Sequence, residues 1–111
     1  MLNIIKFFMD NKDKKSNRNI EQIDFDDLNK NKNCIVIDVR SKQEYLEGHL
    51  NGAINIPLNK IKEQVEFKIP NKQQDIILYC QSGIRSMKAA SILERLGYRN
   101  IKNLKGGLNN K

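Results

Sequence analysis

The chain has 111 residues, which is enough for one domain with a single hydrophobic core and too few for two. Its net charge of +7 supports an anionic substrate, but the lysines are scattered without long runs and indicate no clear nucleic-acid partner. No apolar run approaches the length of a membrane span, and two cysteines do not make a disulfide framework. We therefore expect a protein of the reducing cytoplasm.

The first eighteen residues differ from the rest of the chain. An apolar stretch at 1–9, in which Leu2, Ile5 and Phe8 recur at helical spacing, precedes a polar, lysine-rich linker. No positive residue precedes this stretch and no small-residue cleavage site follows it, so it does not fit a secretory signal. Packing on the domain, disorder, a docking peptide and a weak membrane contact by residues 1–9 stay open. We expect two parts, residues 1–18 and a domain at 19–111.

From residue 19 onward the pattern alternates between strands and helices. Short β-branched runs predict strands, and capping residues that precede a helical apolar period predict helices. The elements expected in the first half are a strand at 20–23, a helix at 25–31 capped by Asp24, a strand at 34–39, a helix from the capping box at Ser41 to Glu47, and a strand at 53–56.

The second half continues this alternation. Its expected elements are a helix capped by Asn59 and ending near residue 67, a strand at 75–79, a helix at 86–96 and a last strand at 101–104. The helix at 86–96 is the clearest, because an apolar stripe runs from Ala89 to Leu96 and Gly97 follows it. Such alternation predicts an α/β fold, with a parallel sheet and helices on both of its faces.

Cys80 directly follows the predicted strand at 75–79 and opens a short loop before the next helix. Parallel sheets place their chemistry at the carboxyl ends of the strands. Loop N–H groups, the helix start and Arg85 should lower the pKa of this thiol, and thiolate is its reactive form. The alternative for Cys80 is the role of a buried core residue. We interpret Cys34 as such a core residue. A Cys34–Cys80 disulfide would need the two Cα atoms to lie within about 7 Å of each other, and we do not expect one.

Three groups of segments occur in a fixed order. They are Ile37-Asp-Val-Arg40 with Glu44-Tyr45 and Gly48-His-Leu-Asn-Gly-Ala-Ile-Asn-Ile-Pro57, then Cys80-Gln-Ser-Gly-Ile-Arg-Ser86, and then Leu96-Gly-Tyr98 with Leu104-Lys-Gly-Gly107. Together they resemble the single-domain rhodanese-like sulfurtransferases over roughly residues 19–107. The resemblance implies a three-layer domain with a central five-stranded, mostly parallel sheet. The family's last helix is truncated here, because few residues follow Gly107.

The resemblance also implies an enzyme of the thiosulfate sulfurtransferase type. Cys80 would take a sulfane sulfur from thiosulfate, a polysulfide or a persulfide, and pass it to cyanide, a thiol or a protein acceptor. The sulfur would travel as a Cys80 persulfide held by loop N–H groups, without a metal or organic cofactor. Gln81 is neutral where many thiosulfate-using relatives carry a basic residue, which weakens the case for thiosulfate.

The remaining candidate site residues lie in the loop after Cys80 and after the strand at 34–39. The loop residues are Gln81, Ser82, Gly83, Ile84, Arg85 and Ser86. Gly83 would let the loop curl tightly, and Ser86 is expected to cap the helix. Arg85 either attracts the anionic donor or pairs with a carboxylate behind the loop.

Asp38 and Arg40 are supporting candidates, because they follow a strand end at the same edge of the sheet as Cys80. We expect Arg40 to pair with Glu44 or anchor the loop rather than to meet the substrate. His49, the only histidine, invites a Cys–His pair, but no third group is visible to orient it, and a structural role is expected.

Two other functions compete with sulfur transfer. A cysteine phosphatase or arsenate reductase of related fold would have one residue more between its cysteine and arginine than the four between Cys80 and Arg85. The shorter loop makes a smaller anion cradle, better matched to one sulfur atom than to phosphate. The second alternative is a sulfur-carrying or protein-binding module without turnover.

Overall fold

The computed structural model describes residues 20–111, so the predictions for residues 1–18 lie outside the described part of the chain. The strands are β1 (Glu21–Ile23), β2 (Ile35–Asp38), β3 (Ile54–Asn55), β4 (Ile76–Tyr79) and β5 (Ile101–Leu104). The α-helices are α1 (Lys42–Glu47), α2 (Ile61–Lys68) and α3 (Ile84–Arg95), and three 3-10 segments span Phe25–Lys30, Leu58–Lys60 and Gly107–Asn110.

The five strands form one sheet in the order β1-β5-β4-β2-β3, and every pairing is parallel. β4 is the central strand, and its last residue, Tyr79, lies beside Asp38 at the end of β2. The ladder continues beyond both strands, since the Val39 N–H donates to the Tyr79 carbonyl at 3.0 Å. The chain segments that leave β2, β4 and β5 therefore meet at one edge of the sheet.

The sheet is buried on both faces, which confirms the predicted three-layer α/β arrangement. Alternate residues of β4 face opposite ways: Ile76 and Leu78 belong to the core under α2 and α3, while Ile77 and Tyr79 belong to the core on the other face. That second face is covered by the 3-10 segment at 25–30 and by the chain around Leu50 and Leu108. The truncated last helix is the short 3-10 turn Gly107–Asn110.

Most predicted elements are present, and the capping box that starts α1 is confirmed. Ser41 Oγ accepts from the Glu44 N–H and the Glu44 carboxylate accepts from the Ser41 N–H, both at 3.1 Å. The segment 25–30 is a 3-10 helix rather than an α-helix. No helix among residues 20–111 has the length and apolar character needed to cross a membrane.

Two predicted helix caps are wrong. α2 begins at Ile61 and not after Asn59, because the Lys60 N–H donates to the Pro57 carbonyl and closes a 3-10 turn first. α3 begins at Ile84, so Ser86 is its third residue instead of its cap. Gly83 occupies the cap position with φ +100°, a conformation that glycine adopts without strain.

Candidate active site

The sulfur of Cys80 lies inside a cradle of N–H groups at the start of α3. Its Sγ accepts hydrogen bonds from the backbone N–H of Gly83 at 3.1 Å and of Ser86 at 3.4 Å. Cys80 is fully buried, and it is a free cysteine, as is Cys34. The N-terminus of a helix favours negative charge, so this position stabilises a thiolate or the anionic outer sulfur of a persulfide.

The hydroxyl of Ser86 lies between Cys80 and the carbonyl of Gly83. Its Oγ is 3.5 Å from the Cys80 sulfur and 3.0 Å from the Gly83 oxygen. A hydroxyl has one hydrogen to donate. With Cys80 as thiol, the S–H donates to Ser86 and Ser86 donates to Gly83; with Cys80 as thiolate, the hydroxyl turns and donates to sulfur. Ser86 therefore accommodates both ionisation states of the same atom.

Two opposing influences set the pKa of Cys80. Burial is the largest of them and by itself raises the pKa of the thiol. The hydrogen bond from the Ser86 hydroxyl and those from the backbone N–H groups of Ser86, Gly83 and Ser82 act the other way and outweigh burial. The resulting pKa of Cys80 lies below its ordinary value, which increases the thiolate fraction at neutral pH.

The C-terminal turn holds the backbone of the Cys80 loop from behind. The N–H of Leu108 donates to the Cys80 carbonyl at 3.0 Å, and the N–H of Asn109 donates to the Gln81 carbonyl at 2.9 Å. With these carbonyls bound behind the loop, the following N–H groups are free to converge on the sulfur. The Gln81 side chain also bonds to this turn, donating to Asn109 Oδ1 at 2.7 Å.

Glycines make this close approach between loop and turn feasible. A Cβ atom on Gly107 would lie 2.2 Å from the Cys80 carbonyl oxygen, and one on Gly83 would lie 3.3 Å from the Gly106 nitrogen. The sequence motif that ends in Gly106-Gly107 is thus placed directly against the loop. The sequence does not reveal that this motif supports the loop, because a long-range backbone contact leaves only the glycine itself as a signal.

Asp38 and Arg40 form a buried ion pair at the end of β2, next to the Cys80 strand. Arg40 Nη2 donates to Asp38 Oδ2 at 2.8 Å and to the Gly48 carbonyl at 2.6 Å. Asp38 is fully buried and Arg40 is 5% exposed. The predicted Arg40–Glu44 pair is therefore wrong, and the anchoring alternative describes Arg40: it fixes the end of β2 to the end of α1.

Arg85 pairs with Glu44, a residue 41 positions away in the chain. Its Nη1 and Nη2 donate to the two carboxylate oxygens at 2.8 and 3.0 Å, a bidentate arrangement. The hydrogen bond to Arg85 is the main reason why the pKa of Glu44 falls to about 2, so Glu44 is ionised wherever thiol chemistry operates. Pairing with a carboxylate is one of the two roles that the sequence left open for Arg85, but Glu44 is partly exposed and does not lie behind the loop.

Two further candidates, His49 and Cys34, lie outside the cradle. His49 stacks on the Tyr45 ring, with ring centroids 3.7 Å apart, and its Nδ1 lies 2.8 Å from the Tyr45 carbonyl, in line with a structural role. Cys34 is half-buried, and burial raises the pKa of its thiol. Ser82 and Ile84 are exposed members of the loop, and Ile84 has 66% of its surface open to solvent.

One known family matches nearly all of the described chain. The model of the rhodanese-like domain matches residues 21–110. The chain belongs to the rhodanese-like family. The match includes all five strands, the Cys80 loop and the C-terminal turn that supports it.

Individual relatives agree with this assignment. The chain is 42% identical over 72 residues to the thiosulfate sulfurtransferase PspE of Escherichia coli, covering 65% of this chain and 68% of that one. A solved structure described as a rhodanese with anions from E. coli has a TM-score of 0.64 at 39% identity, covering 69% of this chain and 89% of that chain. A tRNA uridine(34) hydroxylase of Buchnera aphidicola is 39% identical to this chain over 89 residues. That match covers 77% of this chain but only 28% of the hydroxylase.

Removing the carboxylate of Asp38 should destabilise this rhodanese-like domain strongly. Asp38→Ala leaves the buried Arg40 without its ion partner, and we expect a loss of about 3–5 kcal/mol in the free energy of unfolding. Urea denaturation followed by circular dichroism measures it. The matched control is Glu66→Ala, which breaks the more exposed pair with Lys72 at 2.7 Å and should cost less than about 1 kcal/mol. Equal losses would contradict the anchoring role.

Removing the hydroxyl of Ser86 should raise the pKa of Cys80. In Ser86→Ala the thiolate loses a side-chain hydrogen bond while burial, which disfavours the charge, stays. Because the pKa rises, the thiolate fraction at neutral pH falls and alkylation by iodoacetamide slows. The measurement is the pH dependence of that rate in a Cys34→Ser background, with Ser91→Ala as the control on the same helix. A pH profile unchanged by Ser86→Ala would contradict the role assigned to this hydroxyl.

Proposed function

We propose that this rhodanese-like domain is a sulfurtransferase that moves a sulfane sulfur from a small donor to a thiophilic acceptor through a persulfide on Cys80. The observation that carries the proposal is the position of the Cys80 sulfur, which accepts hydrogen bonds from the backbone N–H groups of Gly83 and Ser86 at the start of α3. The similarity to a named thiosulfate sulfurtransferase supports the same reaction class.

The first half-reaction loads the sulfur. The Cys80 thiolate attacks the outer sulfur of the donor, a new S–S bond forms, and the donor's own bond to that sulfur breaks. The leaving group departs with the electron pair, as sulfite from thiosulfate or as a thiolate from a persulfide. The negative charge then resides on the outer sulfur of Cys80, where loop N–H groups stabilise it without reorganising.

The second half-reaction unloads the sulfur. A cyanide ion or a thiolate attacks the outer sulfur, and the S–S bond to Cys80 breaks with its electron pair returning to the cysteine. The products are thiocyanate or a new persulfide, together with the original thiolate. No net oxidation or reduction of the protein occurs over the cycle, and a free thiol suits the reducing cytoplasm that we propose as its location.

Initial-rate kinetics test this function. Donor and acceptor are varied together, with thiosulfate or a polysulfide as donor and cyanide or a thiol as acceptor. Because the loaded protein is an obligatory intermediate, we expect parallel lines in double-reciprocal plots, the signature of a ping-pong reaction. Intersecting lines, or absence of turnover with every donor and acceptor pair, would contradict the proposal.

A second candidate function is a sulfur-carrying or protein-binding module without turnover of its own. It is favoured by the similarity to tRNA uridine(34) hydroxylases, of which this domain matches only a part. In such an arrangement the domain would serve a larger assembly rather than a small acceptor. The two candidates differ in one result: a carrier becomes loaded on Cys80 but does not release the sulfur to cyanide or a small thiol at a catalytic rate.

A further inference from the structure

Four charged side chains near the Cys80 loop are arranged in two neutral pairs. Arg40 is paired with the buried Asp38, and Arg85 is paired with Glu44. The hydrogen bond to Glu44 is the main reason why the pKa of Arg85 is raised, and the negative charges of Cys80 and Asp38 raise it further, so this guanidinium lies within the electrostatic field of the sulfur. Its own charge is nevertheless balanced by a carboxylate.

The partner of Arg85 lies at the protein surface and not behind the loop. The Arg85 and Glu44 side chains are 38% and 34% exposed, so the pair is accessible to an arriving molecule. The first loop residue after Cys80, Gln81, is exposed and uncharged, and its amide is bound to Asn109. The loop therefore presents a carboxylate beside its arginine and a neutral side chain beside its cysteine.

Backbone N–H groups supply the positive character of the cradle. Those of Gly83 and Ser86 converge on one sulfur atom, and the start of α3 adds about half of a positive charge. This arrangement matches a single negative charge located on sulfur. Thiosulfate brings a sulfonate with a further negative charge, and Glu44 both balances the nearest arginine and repels that group.

We infer that the Glu44–Arg85 pair determines donor specificity, by selecting persulfide-type donors with at most one negative charge over dianionic thiosulfate. This inference rests on the proposed function and specifies its substrate class. Glu44 does not touch the reacting sulfur; it acts through Arg85. The net charge of +7 attracts anions of every kind at long range, but salt screens that attraction beyond about 10 Å, so discrimination arises from contacts at the loop.

The test compares two donors that differ in the charge of the part that leaves. The leaving group of thiosulfate is sulfite. The leaving group of 2-hydroxyethyl persulfide is a thiolate whose hydroxyethyl tail is uncharged. The quantity measured is the ratio of kcat/KM for thiosulfate to kcat/KM for the persulfide. Glu44→Gln keeps the capping role at Ser41, since glutamine also serves there, and frees the charge of Arg85. We expect the ratio to rise about fivefold, the size expected for one partly exposed charge.

Two further variants separate this role from a general change in charge or structure. Glu47→Gln removes an exposed carboxylate from the same helix and should leave the ratio at the wild-type value. The double variant Glu44→Gln/Arg85→Ala should lose the gain, because the released guanidinium is gone. An unchanged ratio in Glu44→Gln, or an equal rise in Glu47→Gln, would overturn the inference while leaving sulfur transfer intact. A wild-type protein that accepts sulfur from neither donor would overturn the proposed function itself.

Discussion

Cys80→Ser should abolish sulfur transfer while leaving the fold in place. A serine hydroxyl is barely ionised at neutral pH and cannot hold a transferable sulfane sulfur, so we expect kcat to fall by at least about a thousandfold. The serine Oγ would occupy nearly the same position and accept hydrogen bonds from the N–H groups of Gly83 and Ser86. We therefore expect a cost below about 1 kcal/mol and a melting temperature within about 8 °C of the wild type.

The matched control for this variant is Cys34→Ser, which changes the other cysteine of the chain. Cys34 Sγ lies 3.9 Å from Asn31 Oδ1, so a hydroxyl in its place has an acceptor within reach. We expect this variant to keep the donor-to-acceptor rate of the wild type. If Cys80→Ser retained turnover, or if Cys34→Ser lost it with an unchanged melting temperature, the assignment of Cys80 as nucleophile would be wrong.

Gly107→Ala should damage both stability and activity, because the new methyl group collides with the Cys80 loop. Its Cβ would lie 2.2 Å from the Cys80 carbonyl oxygen and 2.8 Å from the Gln81 carbonyl carbon. Backbone cannot yield as a flexible side chain does, so the loop or the C-terminal turn must move. We expect a loss of about 2–4 kcal/mol, from the left-handed backbone conformation and overpacking together. Displacement of the loop should lower kcat/KM by about a hundredfold.

Gly52→Ala is the control for the backbone conformation alone. Gly52 has φ +84° and Gly107 has φ +58°, so alanine is strained at both positions, but a Cβ on Gly52 meets nothing within 4 Å. Its cost should be about 1–2 kcal/mol, with activity close to wild type. Thermal unfolding and donor turnover measure both variants. If the two variants lost equal activity, the contact between the C-terminal turn and the loop would have no role in positioning Cys80.

Local sequence signals predicted most of the elements and the position of Cys80 after a buried strand. The run before Cys80 is a buried strand, the following stripe is a helix, and the capping box at Ser41 forms as expected. These features depend on neighbours within a few residues, where propensity, periodicity and capping act. The position of Cys80 at the carboxyl edge then follows from the alternation of strands and helices.

The errors and omissions involve contacts that sequence neighbours do not determine. Ser86 was expected to cap α3, but the left-handed Gly83 starts the helix earlier and turns the serine towards the sulfur. Of the two roles expected for Arg40, the structure shows anchoring and not the pair with Glu44, which lies against Arg85 instead. Glu44 could pair with either Arg40 or Arg85, and only the three-dimensional arrangement chooses between them. The support that Gly107 gives to the Cys80 loop was also missed, because it depends on a long-range backbone contact.

Locating the transferred sulfur shows whether Cys80 carries it. The wild-type protein is incubated with thiosulfate or a polysulfide, freed of excess donor, and analysed by peptide mapping with mass spectrometry under non-reducing conditions. We expect the peptide containing Cys80 to become heavier by one sulfur atom and to return to its original mass when cyanide or a thiol is added. Extra sulfur on the Cys34 peptide, or none on either peptide with any donor, would contradict this expectation.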